Sequence, residues 1–161
     1  MIKPLKSTAA FVLGMHDAMV SQIGVIVGLA FALANQKLII LTSIITALSA
    51  GLSMAASSYL AEKTHDDGNA LRAGLVTGGA YLGVSGILIA PFVVTSHLMT
   101  ALAATFILAV LTIFISNWAI HRHSKKKFLA HAIEMLILCG SVTIITFVIG
   151  EIAKQVFETI P

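Results

Sequence analysis

"GLAFALANQKLIILTSIITALSAGLSMAASSYLAEKTHDD", residues 28–67, is apolar almost throughout, is interrupted by the short "NQK" at 35–37, and ends in a cluster of charge. A window of about 20 apolar residues is long enough to cross the hydrocarbon core as a helix, in which every backbone hydrogen bond is satisfied within the segment. The stretch therefore holds the end of one membrane-spanning helix and the whole of a second. Just upstream, "GMHDAMVSQIG" at 14–24 places Asp17 inside the first of them.

Working outward, the 161-residue chain is 58% hydrophobic and 11% charged, with a mean hydropathy of +0.98. Water-soluble domains bury one face and keep the other polar, and this chain is too apolar for that. Five windows qualify as spans, 8–34, 37–61, 69–92, 96–118 and 127–155, and they use almost all of the sequence. The connections "NQK", "EKTHDDGN" (62–69), "TSH" (95–97) and "HRHSKKK" (121–127) leave no room for a soluble domain. The reading is an all-α membrane protein with five transmembrane helices in a single domain over 1–161. The first window is too long for a signal-peptide core and lacks a small-residue cleavage site, so it is read as retained. Cys139, the single cysteine, has no partner within the chain and reads as a small core residue.

Basic residues set the expected orientation. Lys3, Lys6, Lys63, Arg72, Arg122, Lys125, Lys126 and Lys127 fall on one side of the five spans, and only Lys37 and Lys154 on the other. The positive-inside rule then puts the amino terminus in the cytoplasm and the carboxyl terminus across the membrane. Tyr59, Trp118 and Phe128 sit near the same cytosolic interface, as aromatic belts do. The net charge of +3 reflects this topology, with "HRHSKKK" contacting anionic lipid, and no nucleic-acid surface is expected.

At helical spacing Ala10, Gly14, Asp17, Ser21, Gly24 and Gly28 form one stripe of small residues around a carboxylate. Asp17 is therefore expected to face protein. The second helix repeats the pattern with Ser43, Ala47, Gly51, Met54, Ser58 and Ala61, whose one long side chain is Met54. At 1.5 Å per residue Asp17 and Met54 both lie about 12–14 Å from the cytosolic edge, and Glu134 about 10 Å from it.

An Asp at this depth costs on the order of 3 kcal/mol on insertion scales, and such residues handle ions or protons or are hydrogen-bonded within the bundle. Carboxylate with thioether suits Fe²⁺, Mn²⁺, Co²⁺ or Zn²⁺, whereas Mg²⁺ and Ca²⁺ take oxygen ligands. Two ligands do not fill a coordination sphere, and a twofold homodimer apposing the small-residue stripes doubles the set. Glu134 is a third candidate oxygen ligand.

These residues resemble a known family. "GMHDAMVSQIGVIVGLAFAL" (14–33) is similar to the first helix of the vacuolar iron transporter family, with its Gly, two residues, Asp pattern, and "SAGLSMAASSYLA" (49–61) is similar to its second. "AGLVTGGAYLGVSGILIAPF" (73–92) and "GSVTIITFVIGE" (140–151) resemble its third and fifth. The resemblance implies a five-helix dimer that moves Fe²⁺ or Mn²⁺ out of the cytosol in exchange for protons, with Asp17 and Met54 matching the family's intramembrane metal ligands. The chain departs from the family pattern at Ala18, where Gly is usual after the Asp, at Ser58 in place of a Glu, and at Ala10 in place of an acidic residue. "EKTHDDGN" stands where eukaryotic members insert a Glu-rich metal-binding domain. This shortness suggests a bacterial inner membrane.

Four weaker sites complete the set. Glu62 and His65 share a helical face and are followed by Asp66 and Asp67, so this tip either collects divalent cations or is a solvated loop. His131 and Glu134 have the same spacing and read as a metal or proton relay, or as a snorkelling histidine beside an internally bonded acid. His16 points about 100° from Asp17 and is a proton partner more than a co-ligand. Met15, Met19 and Gln22 share another face, as core packing or as a wall of the path.

The expected function is a secondary transporter of divalent iron or manganese, with no cofactor beyond the transported ion. A non-transporting membrane scaffold and a passive divalent-cation channel are the competing readings. An enzyme is disfavoured, since Ser21 has no base at matching depth and no phosphate loop, Ser-His-Asp set or Cys cluster occurs.

Overall fold

The apolar windows become helices, and the turns between them fall where polar residues interrupt the windows. The computed structural model describes residues 4–64, 69–121 and 125–159. Among these, five helices follow in order: α1 (Pro4–Leu33), α2 (Gln36–Lys63), α3 (Ala70–Val94), α4 (Leu98–His121) and α5 (Lys125–Thr159). All five are long and apolar enough to cross a membrane. They run past several of the expected span limits, because a helix end that carries charge continues into the headgroup layer without breaking its hydrogen bonds.

Local chemistry sets the turns. Ala34 adopts a left-handed backbone with φ 48°, which ends α1, and the Asn35 side chain accepts hydrogen bonds from the N–H groups of Lys37 and Leu38 to open α2. Gln36 then donates through Nε2 to the carbonyls of Phe92, at 2.6 Å, and Thr95. Those carbonyls belong to the last turn of α3 and to Thr95, which caps it, where no helical donor remains for them. One amide thus ties the start of α2 to the end of α3.

α1 and α3 are the centre of the bundle. Half of the α1 span and 56% of the α3 span are buried, against 17% to 28% for the other helices. α2 packs mainly on α3, α5 on α1, and α4 bridges α3 and α5. Met15, Met19, Ile26, Tyr81, Leu88, Phe92 and Ile113 form the core between them. Of the two readings for the face of Met15, Met19 and Gln22, core packing is the one found, since all three are fully buried.

Glycine decides how closely the centre packs. A methyl group built on Gly14 would fall 2.1 Å from the Thr77 carbonyl oxygen, and one on Gly78 2.9 Å from the carbonyl of Gly51. On the other side Gly150 meets the Gly28 carbonyl at 2.6 Å by the same measure. The small-residue stripes, expected to face a second copy, are thus largely used within the chain: Gly14 and Gly51 against α3, Gly24 and Gly28 against α5. Close backbone approach gains dispersion where lipid offers no hydrophobic drive, so the smallest residues go to the tightest contacts.

Candidate functional site

The close α1–α3 and α2–α3 contacts fix where Asp17 and Met54 sit. Gly14 lies against Thr77, and one full stretch further along α1 the Ser21 hydroxyl meets the Tyr81 hydroxyl at 2.6 Å. Asp17 falls between these two contacts. On α2, Gly51 lies against Tyr81 and Leu82, and Ala55 against Gly78, with Met54 between them. Both residues therefore occupy the rungs of α3 between 77 and 82.

Their surroundings differ. Met54 is half-buried against the core, whereas Asp17 is exposed on the surface of the single chain, in the middle of a helix long enough to span. Asp17 acts electrostatically on the Tyr81 hydroxyl, itself held by Ser21. The expectation that Asp17 faces protein is not met within one chain: the neighbours that bury Gly14 and Gly24 leave an opening between them. An unshielded carboxylate at this depth is costly, so the opening must meet water, an ion or another protein surface.

That opening continues into a groove. Its floor is α1, from Val20 and Ser21 to Leu33, with Thr42 of α2 on one wall and Val142, Thr146 and Ala153 of α5 on the other. The lining is apolar and built of small side chains, and Asp17 lies one turn from its nearer end.

A second group gathers at the α1–α5 seam. His131 Nδ1 pairs with Glu134 Oε2 at 3.1 Å, and the His131 and His16 rings stand edge-on with centroids 6.2 Å apart. His16 thus turns away from Asp17 toward α5, as the helical angle requires, and its Nε2 is buried. Glu134 is thus paired with His131 and otherwise largely exposed. Among the described residues no three His, Cys, Asp or Glu side chains of one chain come together as a metal site.

Glu62 is half-buried at the end of α2, beside Lys63, whose ammonium lies 5.5 Å from the Tyr59 ring centroid. His65 and Asp66 lie outside the described residues. The sequence reading missed Tyr81 and its bond to Ser21. A lone tyrosine among Gly, Ser and Val in "GGAYLGVSG" was the available signal, since a buried phenol needs a partner.

The chain is thus a polytopic α-helical membrane protein in which an ionisable side chain, Asp17, lies open within a span. Residues 8–70, covering α1, α2 and the connection after them, match the model of the VIT family. Over that part of the chain, 63 of its 161 residues, the sequence is similar to the vacuolar iron transporter family. No curated protein matches the chain.

Proposed function

We propose that the chain is a secondary transporter that exports Fe²⁺ or Mn²⁺ from the cytosol in exchange for protons, acting as a twofold homodimer in a bacterial inner membrane with its amino terminus inside. It is not an enzyme. The observation that carries this reading is the exposure of Asp17 at membrane depth on a single chain. A second copy set against the α1 face covers that carboxylate and brings a second Asp17 and Met54 to the same level. Two carboxylates and two thioethers, with water, then suit a borderline divalent ion. The apolar groove beside them gives an ion no competing ligand once it leaves.

Proton exchange follows from the same residue. A carboxylate that binds a divalent cation at one moment and faces hydrocarbon at the next is stabilised by taking up a proton when the metal departs. His16 of α1 turns toward His131 and Glu134 of α5, and the three serve proton entry from the cytosolic side. Glu62, His65 and Asp66 attract cations to that side.

In proteoliposomes carrying a metal-sensing dye, Asp17→Ala abolishes uptake and Met54→Ala lowers it about tenfold, the loss of one soft ligand being worth about 1.4 kcal/mol. Undiminished flux in Asp17→Ala overturns the site. A passive channel predicts flux indifferent to a pH gradient, and a scaffold predicts none in the unaltered protein.

A further inference from the structure

Hydroxyls in these helices mostly close onto their own backbones. Thr77 donates to the Ala73 carbonyl, Thr112 to Leu108, Thr143 to Cys139 and Thr146 to Val142, each four residues back. This is how a span hides a hydroxyl without needing a partner. Three oxygens at the α1–α2–α3 centre break the pattern. Gln22 Oε1, Ser43 Oγ and Ser85 Oγ have no hydrogen-bond partner among the described residues, yet all three residues are 0% exposed. Each such atom costs about 1–3 kcal/mol, so three in one core call for something that satisfies them.

Two of these residues touch directly, and helix register brings the third toward them. Gln22 Nε2 donates to the Ser43 carbonyl at 3.4 Å, and the Gln22 side chain also acts on the Tyr81 hydroxyl. Ser85 is one turn beyond Tyr81 on the same face of α3. Extending the antiparallel α2–α3 pairing between its two observed ends, Gly51 with Gly78 and Gln36 with Phe92, brings Ser85 within a turn of Ser43. A buried water typically makes about three hydrogen bonds, which matches the three oxygens. The set is neutral and lacks a carboxylate, so a dehydrated divalent cation is a poor fit.

We propose that Gln22, Ser43 and Ser85 hold a buried water, and that this water, with Tyr81 and Ser21, forms a proton-conducting chain inside one protomer that ends on the α1 face carrying Asp17. The proposal rests on the proton exchange put forward above. At each hydroxyl or water a proton arrives on an oxygen lone pair and a different proton leaves from the same oxygen, so composition and resting charge are unchanged. Rotation of the hydroxyls resets the chain. The Gln22 amide does not relay; its carbonyl orients the water. Asp17 is the titratable group that acts on Tyr81. The ionisable residues of α2 lie at its ends and the span of α4 has none; on α5 His131 meets His16 of α1, Glu134 is largely exposed, Cys139 is buried, and Glu151 and Lys154 lie toward its end. A proton passing Ser21 thus meets Asp17.

The test uses the full chain in liposomes with a pH dye and a metal dye, and the variants Gln22→Met and Ser85→Ala. Metal-driven proton movement should fall about tenfold in each, while exchange of metal for metal at equal pH, which moves no net proton, stays within about twofold. Hydroxyl-radical footprinting reads the water directly. Tyr81 should be labelled in the unaltered protein despite its full burial and lose that label in the double variant. Unchanged proton movement, an equal fall in both exchange modes, or an unlabelled Tyr81 each overturns the proposal. If the unaltered protein moves metal with no proton movement, the exchange reading itself fails, and Tyr81 labelling still reports on the water.

Discussion

Ala34 shows how much one backbone angle can hold. Its φ of 48° is a conformation in which a Cβ crowds the following carbonyl, at a cost of about 1–2 kcal/mol, and the turn tolerates it because Asn35 must cap α2 at once. Ala34→Gly removes the crowding and adds some freedom to the unfolded chain, so thermal unfolding in detergent should show a net gain of about 0.5–1 kcal/mol. A loss of stability would mean that the methyl group packs. At the same scale, the composition explains why Asp17 stands out: it is the one Asp or Glu in "GMHDAMVSQIGVIVGLAFAL". Ser21, one turn on, meets Tyr81 from 60 residues away in sequence, and no local pattern joins those two.

Between elements, glycine sets the spacing. α1 and α3 touch so closely at Gly14 and Thr77 that any side chain there must push backbone apart. Gly14→Val is expected to cost about 2–3 kcal/mol and to disturb Asp17 one turn on. Gly79→Ala, on the same α3 but with nothing within 4 Å of the added carbon, is expected to leave stability unchanged or slightly improved, alanine being the better helix former. Equal melting temperatures for the two variants would contradict the packing. A stripe of small residues announces that some helix comes close, but the helix could be a neighbour or a second copy. The chain uses most of its stripes internally, and the segment around Asp17 stays open.

For the whole molecule, the open segment is where the homodimer is proposed. Val20 lies one turn from Asp17, at the nearer end of the groove. With native Cys139 buried, Val20→Cys in membranes should give a disulfide-linked band at twice the chain mass under mild oxidation, while Ile107→Cys, exposed on α4, should not. Equal yields from the two positions would place the interface elsewhere.

The sequence by itself determined the five helices and where each turns. A run of about 20 apolar residues has no other way to satisfy its backbone in lipid, and Asn35 marks the start of α2 through a contact two and three residues long. It also singled out Asp17 and Met54 as level, because rise per residue is constant along a helix. Only the tertiary structure decided which faces meet. Within one chain it set Asp17 outward, brought His16 to His131 across the α1–α5 seam, and joined Ser21 to Tyr81 and Gln22 to Ser43. Helix rotation and crossing depend on contacts between residues distant in the chain, and those contacts are set by which glycines reach which backbone.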